Sequence, residues 1–351
     1  MAARSDEGRK ANRKMTRSTD AVGDVPYVCP RCRAPLARAA DMLSCTGCPH
    51  TYPIVLGIPD LRVFPDPWIS FEGDREKARR LAELARDLSL EATVRAYWSL
   101  TPGTPKPQAE RFVRYVVSGE SRACDWLALV NAAEGTTTGP WLEIGTGTGD
   151  LVVAGAKHGT TIVGVDIALR WLVVAARRAQ LAGVRHQLVC CNGEHLPFAD
   201  GVFGRVLTAG TLEHCLSASD AVRESHRVLR AGGVLRARTV NRYSILREPH
   251  VGVWGVGFVP RRWADAYVRW WGGEGYQHHH PLSPREIRRA MGRAGFAGVR
   301  VMPSALLETD RQRLGMLRFA APTYERLRQA RWASNTLAWV APVLDARGEA
   351  A

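Results

Sequence analysis

The stretch WLEIGTGTGDL, residues 141–151, constrains this chain more than any other: an apolar run, then three glycines spaced two apart, then an acid. A buried strand that ends in glycines and passes straight into a helix brings backbone close to a ligand and aims helix-terminal N–H groups at it. TGPWLEIG reads as that strand and DLVVAGAKHG as that helix. Gly145, Gly147 and Gly149 form G-x-G-x-G, whereas the dinucleotide fingerprint carries its third glycine one place later, where Asp150 stands. Glu143, two places ahead of the first glycine, is unsuited to phosphates and suits a ligand with a cationic end. The next strand, TIVGVD, ends in Asp166, 21 residues beyond Gly145, where a carboxylate accepts hydrogen bonds from ribose hydroxyls.

A chain of 351 residues that is 46% hydrophobic is long enough for one large α/β core and a small appended module. No apolar run approaches the roughly 18 residues of a membrane span. The polar N-terminus lacks the apolar segment of a secretory signal, so the expected location is cytoplasmic. Residues 1–25 mix Arg and Lys with Asp and Glu without hydrophobic periodicity, and are expected to be a disordered tail. The net charge of +14 invites a nucleic-acid reading. Yet 43 of the 48 basic residues are arginine, a bias that a GC-rich genome explains, so the charge is discounted as evidence for nucleic acid.

Four of the eight cysteines, Cys29, Cys32, Cys45 and Cys48, form C-x2-C, twelve residues, C-x2-C. Two such pairs suit four thiolates around a closed, structural Zn²⁺ in a reducing compartment, where disulfides are rare. His50 is the alternative fourth ligand, or a surface residue. CPRC, a hairpin with Leu36 and Leu43, a second C-x2-C, then YPI and GIPDL resemble the zinc-ribbon family whose small members activate methyltransferases as partner subunits. That resemblance implies a ribbon at 26–63 that docks on a methyltransferase, here within one chain. Residues 64–132 read as a helical connector, with Ala78, Leu81, Leu84 and Leu88 at helical spacing and a further helix at 108–117.

Beyond the glycine turn and Asp166, the segments NGEHLPF, LEH and RVLRAGG follow in order. Together they resemble class I S-adenosylmethionine-dependent methyltransferases, in the branch similar to the ubiquinone/menaquinone C-methyltransferases. The resemblance implies a Rossmann-like α/β fold over 133–351: a seven-stranded sheet with an antiparallel last strand and helices on both faces. Carried across by position, Glu143, Gly145, Gly147 and Gly149 face the methionine moiety, Asp166 the ribose, and Asn192 with Gly193 the adenine edge. Asn192 stands where the family has Asp, but its amide oxygen is still an acceptor. Gly204, and Arg230 with Ala231, depart from the family at positions that look structural.

Methyl transfer from a sulfonium is an in-line displacement, so the protein supplies mainly alignment and desolvation. A base is needed only where the acceptor must lose a proton. His214 of LEH, past the fourth strand at the mouth of the sheet, is the first candidate for base or substrate contact, with a local loop role as the alternative. A long insertion at 241–282 reads as a substrate lid, with Asn241, Arg242, His250, Trp254 and Arg262 as substrate-contact candidates, or as residues that only pack the lid.

Within the lid, Trp263, Tyr267, Trp270 and Trp271 recur at helical spacing with Arg262 and Arg269 nearby. Such a stripe is ordinarily core; the other reading is peripheral contact with a membrane surface. His278–His280 are expected to be a polar loop, because successive side chains diverge. Cys215 lacks the proline context of a nucleophile. Ser283 and Pro284 mark a helix start, and TLAWVAPVL is expected to be the seventh strand.

Three functions therefore stand at this level. The first is a methyltransferase acting on O or C of a small-molecule or lipid- or glycan-linked acceptor. The second is an RNA methyltransferase gripping nucleic acid through the ribbon and the Arg-rich surface. The third is a non-catalytic assembly module.

Overall fold

The computed structural model describes residues 25–135, 139–273, 275–311 and 319–351. Residues 1–24 of the expected tail lie outside the described residues. Val25 is buried and exchanges hydrogen bonds with the Gln187 side chain, at 2.9 Å through its N–H and 2.8 Å through its carbonyl.

The segment expected to be a ribbon is a four-stranded antiparallel sheet in sequence order: β1 (Leu36–Ala39), β2 (Met42–Cys45), β3 (Thr51–Val55) and β4 (Ile58–Pro59). Four helices follow: α1 (Phe71–Leu84), α2 (Leu90–Ser99), α3 (Lys106–Val117) and α4 (Gly119–Glu134). Ser70 and Ser89 cap the first two by accepting from the backbone N–H groups of Gly73 and Ala92, each three residues on.

The main sheet has seven strands in the order β10-β11-β9-β8-β5-β6-β7. They are β5 (Trp141–Ile144), β6 (Ile162–Asp166), β7 (Gln187–Cys190), β8 (Phe203–Ala209), β9 (Leu229–Val240), β10 (Phe296–Pro303) and β11 (Val343–Ala350). β7, β6, β5, β8 and β9 pair in parallel, and β11 lies antiparallel between β9 and β10. The chain leaves β5 toward β6 and β7, then returns to β8 on the other side. The order thus reverses at β5 and β8, and their carboxyl ends open the crevice where such sheets bind ligands.

Helices α5 (Asp150–Lys157), α6 (Leu169–Leu181), α7 (Ala218–Val228), α8 (Arg261–Trp270) and α9 (Pro284–Ala294) complete the elements that shape the site. Val116, Leu127, Leu151, Leu172 and their neighbours from α3 to α6 fill one face of the sheet. Val222 of α7 and Ile287 and Met291 of α9 fill the other, and Leu43, Tyr52, Ile54 and Leu61 of the ribbon segment join that same core. The lid keeps a small core of its own around Val253, Val256, Val268 and Tyr276. Ser283 and Glu286 form a reciprocal capping box at the start of α9, the helix start marked by Ser283 and Pro284.

The connector is not a loose spacer. Glu134 at the end of α4 pairs with Arg347 of β11 at 2.9 Å and Arg236 of β9 at 2.6 Å. Asp74 of α1 is fully buried and accepts from Arg62 at 2.7 Å, Arg170 at 2.9 Å and the Leu169 N–H at 2.9 Å. Asp60 takes both arms of Arg62, at 2.7 and 2.8 Å, and Asp66 takes Arg170 at 2.9 Å. Burial alone raises the Asp60 carboxyl, but Arg62 and Arg75 outweigh it and hold the group below its usual value. This chain of buried ions clamps the ribbon's exit, α1 and the start of α6 into one unit.

Two expectations are corrected. The seventh strand is VLDARGEA, which shares only Val343 and Leu344 with TLAWVAPVL; the start of that run, Thr336 and Leu337, ends a helix instead. The tryptophan stripe is not core: Trp263, Trp270 and Trp271 are 55%, 78% and 59% exposed. On α8 the side that packs is Ala264 and Val268, which leaves the indoles outward.

Candidate functional site

The glycine turn follows β5, and all three glycines hold positive φ: 79° at Gly145, 50° at Gly147 and 73° at Gly149. A Cβ on Gly145 would lie 2.0 Å from the Thr211 hydroxyl, and one on Gly149 would lie 2.7 Å from Cβ of Ala175. Those two glycines admit the neighbouring turn and α6. Gly147 differs, because a Cβ there would meet nothing within 4 Å, so its backbone borders open space. Arg178, which the sequence reading missed, braces the turn from α6 by donating to the carbonyls of Thr148 and Val116, each at 2.8 Å.

Two carboxyls flank this turn, that of Glu143 buried and that of Asp166 half-buried. Glu143 accepts the Thr146 hydroxyl at 2.6 Å. Burial and the nearby Asp150 push Glu143 well above its ordinary value. Asp166 accepts the N–H groups of Gly147 and Ala168, each at 2.8 Å. Burial nevertheless raises Asp166, with those two N–H groups working the other way. A carboxylate has about four acceptor positions, so Asp166 keeps two for a ligand's hydroxyl pair. A cationic group beside Glu143 would relieve what Asp150 and Asp166 impose on it.

Asn192 is placed differently from the adenine contact that the resemblance implied. It is fully buried, its amide oxygen accepts from Val63 N–H at 2.7 Å and Phe64 N–H at 3.3 Å, and its amide nitrogen donates to the Phe64 carbonyl at 3.1 Å. The segment leaving the ribbon has taken those bonds. Gly193 packs behind β5, where a Cβ would stand 3.1 Å from Ile144.

Across the crevice, LEH forms a short 3-10 turn at Leu212–His214. Glu213 is buried and accepts the Thr239 hydroxyl at 2.7 Å, while its carbonyl accepts from His280 N–H at 2.7 Å. It therefore stitches this turn to β9 and to the His278–His280 loop. His214 meets His250 and His279, with ring centroids at 4.8 and 5.2 Å. His214 and His250 are exposed and His279 half-buried, and partial loss of solvent around the His214 ring together with the neighbouring rings shifts its pKa downward. His250 is oriented by Glu248, whose oxygen lies 2.5 Å from Nδ1. Burial lowers His250, but Glu248 outweighs it and the net shift is upward.

The other lid candidates are not gathered at His214. Asn241 is buried, with its amide committed to the carbonyls of Ala338 at 3.0 Å and Ala341 at 2.7 Å. Arg242 donates to the Gly257 carbonyl at 3.0 Å, and Trp254 to the Ile245 carbonyl at 3.0 Å. Arg262 is exposed and covers the Trp263 ring.

In the ribbon the sulfurs of Cys29, Cys32, Cys45 and Cys48 all lie within 4.8 Å of one another, a donor set that can hold one metal ion. The Cys29–Cys48 and Cys32–Cys45 separations are 3.7 and 3.3 Å. A tetrahedral zinc with bonds of about 2.3 Å needs sulfurs ~3.8 Å apart, so the fit is close. His50 stands beside the set, with Nδ1 3.4 Å from the Cys48 sulfur.

Crevice, glycine turn and terminal acid coincide with a known domain: residues 142–237 match the family described as "Methyltransferase domain". Over those residues the chain is similar to methyltransferase domains. It is 30% identical over 156 residues to the ubiquinone biosynthesis O-methyltransferase of Methylocella silvestris, covering 44% of this chain and 57% of that protein. It is 36% identical over 117 residues to the demethylmenaquinone methyltransferase of Roseiflexus castenholzii, covering 33% and 48%. The chain thus spans about half the length of these curated relatives. Among solved structures, an S-adenosylmethionine-dependent methyltransferase from Mesorhizobium loti superposes with a TM-score of 0.44 at 18% identity, covering 64% of this chain and 97% of that one.

Proposed function

We propose that this protein moves a methyl group from S-adenosylmethionine to an oxygen or carbon of a small-molecule or lipid-linked acceptor. The observation that carries the reading is the open space at Gly147, flanked by the buried carboxyl of Glu143 and the half-buried carboxyl of Asp166. Glu143 suits the cationic methionine end and Asp166 the ribose hydroxyl pair. S-adenosylmethionine supplies the activated methyl group when bound. The protein's part is to fix the turn through Arg178 and Thr211, hold the two carboxyls in place, and close the acceptor side with the lid. The quinone-pathway names of the relatives support an aromatic or isoprenoid-linked acceptor. Calorimetry with S-adenosylmethionine is expected to show one-to-one binding. Asp166→Ala is expected to weaken it about 100-fold, as loss of a charged hydrogen-bond partner does. Absence of binding by the unsubstituted protein would remove the reading.

The cysteine set is proposed to hold a structural zinc, since four thiolates leave no open position. The lid is proposed to rest on a lipid surface. Trp254, Trp263, Trp270 and Trp271 are all more than half exposed, and Arg262 and Arg269 share their helix or its approach. The proposed contact is peripheral, made by the exposed indoles and the arginines beside them; no helix among the described residues is long and apolar enough to cross a membrane. Co-sedimentation with vesicles containing anionic phospholipid is expected, reduced several-fold by Trp270→Ala with Trp271→Ala. Equal sedimentation of the two proteins would count against it.

A further inference from the structure

Three imidazoles distant in sequence converge at the acceptor side of the crevice. His214 comes from the turn after β8, while His250 and His279 come from opposite ends of the lid. Each offers one ring nitrogen, and the three nitrogens lie within 4.8 Å of one another. His278–His280, expected to form only a polar loop, include one ring that packs into this cluster. His279 alone turns in, to a centroid distance of 4.5 Å from His250.

The surroundings are organised around this convergence. Glu248 holds Nδ1 of His250 and so leaves the opposite nitrogen free, the carboxylate–histidine arrangement that orients metal-binding imidazoles elsewhere. His279 stacks on Tyr276 at an interplanar angle of 16°. Its Nδ1 is buried with no hydrogen-bond partner among the described residues. The hydrogen bond from His280 N–H to the Glu213 carbonyl ties the loop to the turn that carries His214. Trp68 lies edge-on to His278 at 4.7 Å. Three clustered rings and an orphan nitrogen have no evident use in packing alone.

We propose that His214, His250 and His279 bind a divalent transition metal ion, zinc being the simplest case, at a site separate from the four cysteines. Three imidazole ligands leave a coordination position open, as catalytic zinc sites do. Ring nitrogens around zinc sit ~3.4 Å apart at bonds of about 2.0–2.1 Å, so movements of roughly 1 Å close the set. On the methyltransferase reading, the open position takes a hydroxyl oxygen of the acceptor. The metal lowers that hydroxyl's pKa, as it does for bound water. Its proton leaves to solvent, and the oxygen lone pair forms the O–CH₃ bond as the S–CH₃ bond breaks to give a thioether. His214 then acts as a ligand, not as the base.

The test is metal stoichiometry on the full chain equilibrated with zinc chloride and freed of excess. Two equivalents are expected for the unsubstituted protein, one for His250→Ala with His279→Ala, and one for Cys32→Ser with Cys45→Ser. A single equivalent in the unsubstituted protein overturns the proposal without relying on any variant's folding. Two equivalents retained by the histidine variant overturn it as well. The open position is read in cobalt-loaded protein titrated with acetohydroxamate. A change in the visible bands is expected in the unsubstituted protein and not in the histidine variant, and no change in either overturns that part. Retention of the second equivalent by protein that fails to bind S-adenosylmethionine would separate failure of the methyltransferase reading from failure of the metal site.

Discussion

Asp74→Ala is expected to lower the free energy of unfolding by about 3–5 kcal/mol, the usual cost of removing one partner from a buried ion network. Asp74 has no solvent exposure and serves two arginines and the first N–H of α6 together. Its removal leaves Arg62 and Arg170 with one carboxylate each, in a region that admits little water. Domains of this kind have only about 5–15 kcal/mol in total, so the loss is a large fraction. Urea denaturation followed by tryptophan fluorescence measures it. A change below about 1 kcal/mol would show that Asp60 and Asp66 suffice and that the clamp is not a cooperative unit.

The second large effect concerns the ribbon. Cys32→Ser with Cys45→Ser is expected to release the ribbon zinc and leave residues 29–50 open to proteolysis, because structural zinc supplies about 10–16 kcal/mol in isolated zinc modules. Limited trypsin digestion, with Arg31, Arg33 and Arg38 as the sites to follow, reads the change. Equal resistance in the two proteins would mean that packing of Leu43, Tyr52 and Ile54 against the main core holds the ribbon without metal.

The parts of the site that could be read in advance are those written in one short stretch. The glycine turn, the acid ending β6 and the LEH turn each occupy a few consecutive residues, and their chemistry is local. The histidine cluster was hidden because positions 214, 250 and 279 meet only after the lid has folded back on its own core. Asn192 was assigned by position in a motif, and the competing claim came from backbone 128–129 residues earlier in the chain.

The seventh strand was misplaced for a different reason. TLAWVAPVL is the more apolar run, but β11 alternates small buried residues, Ala346 and Gly348, with charges whose partners lie elsewhere: Asp345 takes Arg238 and Arg347 takes Glu134. A central strand with few large apolar side chains looks like a loop until those partners are known. The lid tryptophans erred the other way, since helical spacing reports a face and not what covers it.

The pairing of Asp60 and Leu61 with Cys190 has a consequence for colloidal behaviour. β7 ends one side of the main sheet, and an uncovered edge strand is a template on which a neighbouring molecule adds a strand of its own. Here Leu61 donates to the Cys190 carbonyl at 2.7 Å, and the Gln187 side chain is occupied by Val25. The N-terminal module thus caps the sheet at both ends of β7. A chain cut back to its main sheet would carry a sticky edge as well as a missing module, and the two parts are better kept together during expression and storage.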